Sequence, residues 1–423
     1  MLTSAHQAAH HADVVIVGAG VSGLAAARHL IAAGVTVTVL EAADDPGGRM
    51  ATESADGFRL DRIGQLLNTS YTELARTPGL ETLRLRPFAP GVLVHTDGKQ
   101  LRAAALTPAR ALASGSLDQA RLSAVLGRLA AVPEERLLAR PERTAHAALR
   151  ARGLPPRTVN GVLRPLLGAL LRDPELTTSS RVADLALRTF LRGRPAVPEG
   201  GAAALPDLLA AGLPPATVRT GVRVRSVATN LVTTEEHGDF SCRSVLLATG
   251  ARAAAELLPG LRVPAFHEVT VLHHATPAVL PRDGSLLLDG VPGWPLSHTA
   301  VMSAVDPTRA PSGRSLVTTT VLGPPPPRRT VASRLARLYE TSTRDWDLLA
   351  VHHTREAVPA MPPPYDQRRP VRVLAGLYVC GDHRDTNTVQ GALHSARRAS
   401  TAVLRDFGIP LPAAPEPALP VAA

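Results

Sequence analysis

Glycines and one acidic residue near the amino end have the types and spacing that bind a dinucleotide. They form a G-x-G-x-x-G motif, with a serine inside it and a glutamate downstream. The first glycine permits a tight turn, the second lets a pyrophosphate approach the backbone, and the third lets a helix pack closely. The glutamate stands where a carboxylate accepts hydrogen bonds from ribose hydroxyl groups. The spacing therefore predicts a dinucleotide site at Gly18, Gly20, Ser22, Gly23 and Glu41.

The elements around this motif would position it correctly. A β-branched run over residues 13–17 predicts a buried parallel strand, and residues 24–33 predict an Ala- and Leu-rich helix. Residues 35–40 predict a second strand that ends at Glu41. Phosphate binds the free N–H groups of a helix N-terminus. An acid at position 41 argues against a 2'-phosphate and leaves NAD or FAD. Because a ribose carboxylate is paired only with its ligand, we expect Glu41→Ala to weaken cofactor binding more than folding.

The residues after the second strand bring a family resemblance. Residues 15–50, which end in Pro-Gly-Gly-Arg-Met, are similar to the amino end of flavin-containing amine oxidases, protoporphyrinogen oxidases and phytoene desaturases. In that superfamily the Gly-Gly-Arg turn brings backbone and a guanidinium against the FAD pyrophosphate and the flavin. A guanidinium suits this task because it is always charged and can donate two parallel hydrogen bonds to oxygen atoms. The resemblance implies FAD as the cofactor, with Gly48 and Arg49 among its contacts.

Two internal segments resemble further cofactor contacts of the family. Gly64, Gln65 and Leu66 match a stretch whose backbone approaches the flavin, although Ile63 stands where the family usually has glycine. The resemblance also implies a valine whose backbone holds the adenine. We assign this role to Val224, with Val222 as the alternative.

The carboxy-terminal part carries the other strong resemblance. Gly381 and Asp382 end a predicted strand, and Val389 and Ala392 lie at the start of a predicted helix. In the family the acid binds the ribityl chain, and the helix N-terminus presents N–H groups to the flavin O2 atom. The electrostatics are favourable, because reduced flavin carries negative charge near N1 and O2. The resemblance extends from residue 13 to about residue 405.

These patterns predict an α/β fold: an FAD-binding, Rossmann-like domain of the two-dinucleotide-fold type with an interleaved α+β substrate domain. The FAD-binding domain would comprise residues 13–88, 199–262 and 366–408. The substrate domain would comprise residues 89–198, mainly helical with a hairpin at 90–103 and a capping box at 116–119, and residues 263–365, with sheet and helix. Residues 409–423 would form a tail.

Composition narrows the range of partners. The formal charge of +10 is nearly all arginine, since Lys99 is the one lysine, and aromatic residues make up only 3% of the chain. Platforms for stacking bases are therefore scarce, and we expect no nucleic-acid partner. The basic surface leaves open a peripheral membrane contact. There is no signal-peptide pattern and no run of roughly 20 apolar residues, the length of a membrane span. With only two cysteines, we expect a soluble, cytoplasmic protein; the oligomeric state is not predicted.

Two histidine pairs, at 273–274 and 352–353, raise the question of a metal site. Neighbours on a strand point to opposite faces, and these pairs lack spaced carboxylate or cysteine partners. We therefore predict no metal.

The expected activity is that of an FAD-dependent oxidoreductase that transfers hydride from a small apolar substrate to flavin N5. Such chemistry obliges no side chain to act as acid or base, so we assign no catalytic residue. Alternatives are a flavin-free binding protein on the same scaffold, as in the GDP-dissociation inhibitors, an NAD-dependent dehydrogenase, or an amine oxidase. Many amine-oxidising members of the family place a lysine near N5 and flank the ring with aromatic residues. Lys99 is in a predicted hairpin turn, and residues 381–399 contain no aromatic residue, so oxidation at carbon is favoured.

Overall fold

The computed structural model describes residues 10–96, 99–102, 117–291, 293 and 296–411. The strands are β1 (His10–Val17), β2 (Val37–Leu40), β3 (Thr52–Ala55), β4 (Phe58–Asp61), β5 (Leu67–Asn68), β6 (Leu85–Pro87), β7 (Leu93–Thr96), β8 (Lys99–Arg102), β9 (Pro195–Pro198), β10 (Val218–Arg219), β11 (Val224–Val227), β12 (Leu231–Thr234), β13 (Asp239–Leu247), β14 (Phe266–Ala275), β15 (Leu287–Asp289), β16 (Leu296–Val301), β17 (Leu316–Leu322), β18 (Asp347–Pro359), β19 (Arg372–Leu374) and β20 (Leu377–Val379). The α-helices are α1 (Val21–Ala32), α2 (Thr72–Arg76), α3 (Leu117–Ala131), α4 (Glu134–Leu138), α5 (Ala145–Arg150), α6 (Pro156–Thr158), α7 (Arg164–Leu171), α8 (Ser180–Arg192), α9 (Ala204–Ala211), α10 (Ala251–Leu257), α11 (Met302–Val305), α12 (Arg328–Tyr339) and α13 (Val389–Asp406). None of these described helices combines the length and the apolar character that crossing a membrane requires.

The first sheet joins distant parts of the chain. Its order is β10-β2-β1-β13-β12-β11, and β20 pairs with the second half of β13 and with β19. Strands β10, β2, β1, β13 and β20 are parallel. The carboxyl ends of parallel strands meet at one edge of a sheet, which is where ligands bind in open α/β folds. This sheet confirms the predicted α/β class.

Strand β1 is buried on both faces, as its β-branched sequence predicts. Alternation places Val14 and Ile16 in a core with α1 and α13, and Val15 and Val17 in a core with β11 to β13 on the other face. The predicted boundaries shift slightly. Helix α1 begins at Val21 rather than residue 24, because the chain already turns helical after Gly20, and β2 begins at Val37 rather than residue 35.

A second sheet has the order β18-β14-β17-β16-β15-β7-β8. Strands β7 and β8 form the predicted hairpin, whose turn residues 97–98 lie outside the described residues. Helix α12 packs on this sheet through Leu335 and Leu338, and the helices between 117 and 192 share another core with it. The start of the predicted capping box at 116 and most of the predicted tail, from 412 onward, also lie outside the described residues. The domain division given above remains a prediction.

Candidate cofactor site

The turn between β1 and α1 shows three different uses of glycine. Gly18 has a φ of +104°, and a β-carbon there would lie 3.0 Å from the carbonyl oxygen of Ala248. A β-carbon at Gly23 would overlap the carbonyl oxygen of Gly18, so α1 packs directly on the turn. A β-carbon at Gly20 would meet no protein atom within 4 Å. Gly20 therefore leaves its backbone open to a ligand at the N-terminus of α1, whereas Gly23 lies behind the turn.

Glu41 follows β2 and faces the same space. Its carboxylate accepts hydrogen bonds from the backbone N–H groups of Ala19, at 2.7 Å, and Ala43, at 3.0 Å. The expectation that this carboxylate is paired only with a ligand is therefore wrong. Glu41 ties the glycine turn to the loop after β2, because both loops present N–H groups at the end of the sheet.

Arg49 connects the amino-terminal and carboxy-terminal parts of the site. Its Nη2 lies 2.8 Å from Oδ2 of Asp382, and its Nη1 donates to the carbonyl oxygen of Ala357 at 2.8 Å. Gly47 and Gly48, with φ values of +115° and +59°, provide the turn that directs Arg49. Burial alone would raise the pKa of Asp382, but the charge and hydrogen bond of Arg49 hold it below its usual value. The charge of Asp382 in turn raises the pKa of Arg49.

Helix α13 begins at the same edge of the sheet. The side chain of Thr388 caps it by accepting from the N–H of Gly391 at 3.1 Å. The hydroxyl of Ser22, on α1, donates to the carbonyl oxygen of Ala392 at 3.2 Å. The N-termini of α1 and α13 therefore lie together, and both favour negative charge.

These segments enclose a cavity of about 660 Å³. Twelve of the predicted site residues line it, namely Gly18, Gly20, Ser22, Glu41, Gly48, Arg49, Gln65, Val224, Gly381, Asp382, Val389 and Ala392. Val222 also lines it, so the cavity does not decide between Val222 and Val224. The volume is within the range of small-molecule and cofactor sites.

Residues 63–66 form a wall between this cavity and a second one. Ile63 and Gln65 line the large cavity, whereas Gly64 and Leu66 line a cavity of about 20 Å³ bounded by the second sheet. The structure therefore places Gly64 and Leu66 away from the space where they were predicted to contact the cofactor. Gly64 has a φ of +54°, so the backbone turns within this segment and successive residues face different cavities. Ile63, which replaces the family's glycine, packs in a small core with Val271.

Several wall residues were not predicted from sequence. They are Thr249, Gly250, Phe266, Glu356, Ala357, Val358, Asn387 and Thr388. Thr249 and Gly250 belong to an Ala-Thr-Gly strand end that could have indicated the site. Nothing in the alternation of β18 indicates that its last residues reach the cavity.

The donors and the shape of the large cavity fit FAD. The open backbone at Gly20 and the N-termini of two helices can bind a pyrophosphate. The carboxylates of Glu41 and Asp382 lie at separate places in the cavity and can accept hydrogen bonds from the hydroxyl groups of two sugar-like chains. The cavity extends from Val17, at the end of β1, to Gly381, which follows β20, and this span is larger than a mononucleotide site needs.

Comparison with known proteins gives the same assignment. The model of the flavin containing amine oxidoreductase family matches residues 21–404. The phytoene dehydrogenase of Streptomyces griseus is 32% identical over 312 residues, which are 64% of this chain and 60% of that protein. The putrescine oxidase of Kocuria rosea is 46% identical over 89 residues, 20% of this chain and 19% of that protein. The chain thus spans less than two thirds of the length of these relatives.

A solved structure of a putative protoporphyrinogen oxidase from Exiguobacterium has the same fold. The two structures superpose with a TM-score of 0.72 at 18% identity, covering 94% of this chain and 99% of that one. Together with the match over residues 21–404, this likeness confirms the resemblance noted in the sequence. The chain belongs to the flavin containing amine oxidoreductase family.

Proposed function

We propose that the protein is an FAD-dependent oxidoreductase that dehydrogenates a small apolar molecule at carbon. The observation that carries the proposal is the composition of the second cavity, beyond the wall formed by residues 63–66. Its lining is mainly apolar: Leu66, Phe88, Val197, Leu286, Ala300 and Met302, with the polar residues Asp61, His298, Thr318 and Thr320. A site of this kind binds apolar molecules through surface burial, with few polar contacts for orientation.

The charges around the second cavity disfavour a cationic amine. Asp61 is the one acid among its described lining residues, and Oδ2 of Asp61 lies 2.8 Å from Nη1 of the buried Arg309. Its other oxygen accepts from Thr52 and from the backbone of Ala202. Lys99 lies on β8, the edge strand of the second sheet. No free carboxylate is therefore available to an ammonium group among the described residues of this cavity.

The site residues predicted from the sequence have separate roles in this proposal. Gly20, Ser22 and Glu41 would hold the dinucleotide end of FAD, whereas Arg49, Asp382 and the N-terminus of α13 would hold the flavin end. When bound, FAD would supply a two-electron acceptor. The hydride lost from one substrate carbon and the proton lost from its neighbour would both be taken up in forming reduced FAD, which leaves a double bond in the substrate. The wall side chains would exclude water and orient the apolar substrate. The two buried, free cysteines, Cys242 and Cys380, are compatible with work in the cytoplasm.

Amine oxidation is the second candidate, favoured by the similarity to the putrescine oxidase of Kocuria rosea. The two candidates are separated by anaerobic reduction of the purified, FAD-containing protein. Phytoene in detergent micelles, simpler apolar alkenes and unsaturated fatty acids are compared with putrescine and benzylamine at about 1 mM, the upper end of common Michaelis constants. We expect flavin absorbance to bleach with a member of the apolar set and to persist with both amines. Rapid bleaching by either amine would overturn the proposal in favour of the second candidate.

A further inference from the structure

Arg172 is a buried arginine beside the second cavity. It follows the last residue of α7 in a left-handed conformation, with a φ of +59°, and is 4% exposed. Its Nη2 donates to the carbonyl oxygen of Gly64 at 2.8 Å. Since Gly64 lines the second cavity, the guanidinium lies against the backbone of the wall formed by residues 63–66.

The charge of Arg172 has no counter-ion in the part of the chain that the structure describes. Nη1 is buried there without a hydrogen-bond partner. Two other buried arginines differ in this respect. Arg309 is paired with Asp61 and Asp306, and Arg334 is paired with Asp289. Leaving a buried cation unpaired costs several kcal/mol, so an unpaired one beside a binding site indicates a ligand that pairs with it.

The surroundings of Arg172 do not neutralise it. Burial lowers its pKa to about 10, so the group remains charged at neutral pH. His298, which lines the second cavity, has a pKa lowered to about 3 by its burial and by the charge of Arg172. This histidine is therefore neutral and adds no positive charge. A single buried cation next to an apolar lining recognises a molecule with an anionic end and an apolar body.

We propose that Arg172 binds a carboxylate of the substrate, so that the substrate is an apolar carboxylic acid. The inference rests on the proposed function, because it concerns the same substrate side. The second cavity, at about 20 Å³, has room for one water, so substrate must displace side chains on entry. Leu66 and Met302 line it, and methionine is the most adaptable of apolar side chains.

The test compares decanoate with decanamide, which has the same apolar chain and a neutral head. Binding to the FAD-containing protein is followed by calorimetry and by the shift of the flavin spectrum. We expect decanoate to bind the wild type at least about ten-fold more tightly, as charge-assisted hydrogen bonds allow. Arg172→Gln should reduce this ratio to near one, and Arg172→Lys should retain part of it. Arg164→Gln is the control, because Arg164, the first residue of α7, pairs with Glu175 near the surface, and the substitution should leave the ratio unchanged.

A second measurement covers the case in which Arg172→Gln does not fold. The wild-type preference for decanoate should disappear as the pH falls below about 5, where the ligand carboxylate becomes protonated. If the wild type retains its FAD absorbance and yet binds decanoate and decanamide equally, or binds neither, the result overturns the role of Arg172 but leaves the proposed function in place. A retained preference in a folded Arg172→Gln protein overturns it as well. A wild type that takes up no FAD would instead overturn the proposed function, and this inference with it.

Discussion

Nη2 of Arg49 lies 2.8 Å from Oδ2 of Asp382, and this ion pair joins the first and last segments of the cofactor cavity. Both residues line the cavity, and the side chain of Asp382 is buried whereas that of Arg49 is 39% exposed. A pair in this position orders two loops that have no covalent connection nearby. Its contribution should therefore appear mainly in cofactor binding.

Asp382→Asn should raise the dissociation constant for FAD about ten- to one-hundred-fold, the range expected when a charged hydrogen bond is lost. The substitution leaves Arg49 without its carboxylate and removes a charged acceptor from the cavity. Fluorescence titration of apoprotein with FAD measures the effect. Arg368→Gln is the control, since its pair with Glu134 is exposed at both ends and lies outside the cavity. An unchanged dissociation constant in Asp382→Asn would place FAD elsewhere.

Gly20→Ala and Gly23→Ala should separate cofactor binding from folding. A methyl group at Gly20 meets no protein atom within 4 Å, so the melting temperature of the apoprotein should stay the same while FAD affinity falls. A methyl group at Gly23 overlaps the carbonyl oxygen of Gly18, so the melting temperature of the apoprotein and the FAD affinity should both fall. Thermal unfolding without FAD and titration with FAD give the two readouts. Normal FAD affinity in Gly20→Ala would show that the pyrophosphate does not lie on this turn.

Glu41→Ala should reduce both FAD affinity and the free energy of unfolding of the apoprotein. The carboxylate accepts from Ala19 and Ala43, so its loss leaves two backbone donors without their partner. We expect Glu41→Ala to cost about 1 to 3 kcal/mol in the free energy of FAD binding and a similar amount in the free energy of unfolding. Urea unfolding of the apoprotein provides the stability measurement, and Glu41→Gln, which keeps one acceptor oxygen, should lie between wild type and Glu41→Ala. If urea unfolding of Glu41→Ala matches wild type, these backbone contacts contribute nothing.

Asp306 should contribute to unfolding at low pH. Burial would raise its pKa, but hydrogen bonds from Gly200 and Thr308, with the charge of Arg309, hold the pKa below its usual value. A carboxyl whose folded pKa is lowered stabilises fully above the unfolded value of about 4, and this stability is lost as the pH falls through the folded pKa. Urea midpoints between pH 3 and pH 7 should therefore fall toward acid. Asp306→Asn should lower the urea midpoint at pH 7 and should make the midpoint fall less steeply between pH 7 and pH 3. If the midpoint of the variant falls as steeply as that of the wild type, Asp306 does not have this role.

The two ends of the site were predictable from the sequence because short local motifs form them. The glycine turn, Glu41, Arg49 and Asp382 each follow a strand or turn that marks its own position, and all four line the cavity. The placement of Gly64 and Leu66 depends on a backbone turn at Gly64, whose φ is +54°, and a resemblance of residue types does not specify the direction of that turn. No sequence pattern indicated a role for Arg172. Its hydrogen-bond partner is the backbone carbonyl of Gly64 in a distant segment, and only the three-dimensional structure shows that its guanidinium lacks a counter-ion among the described residues.

The sharing of β13 between β1 and β20 has a consequence for biosynthesis. The cofactor cavity needs Gly18 from the start of the chain and Ala392 from near its end, so a ribosome-bound nascent chain has no complete site until residue 392 has left the exit tunnel. At translation rates of about 5 to 20 residues per second, this delay is on the order of 20 to 80 seconds. Loading of FAD therefore follows the synthesis of residue 392, whereas β1 can pair with β2 and β13 well before that point.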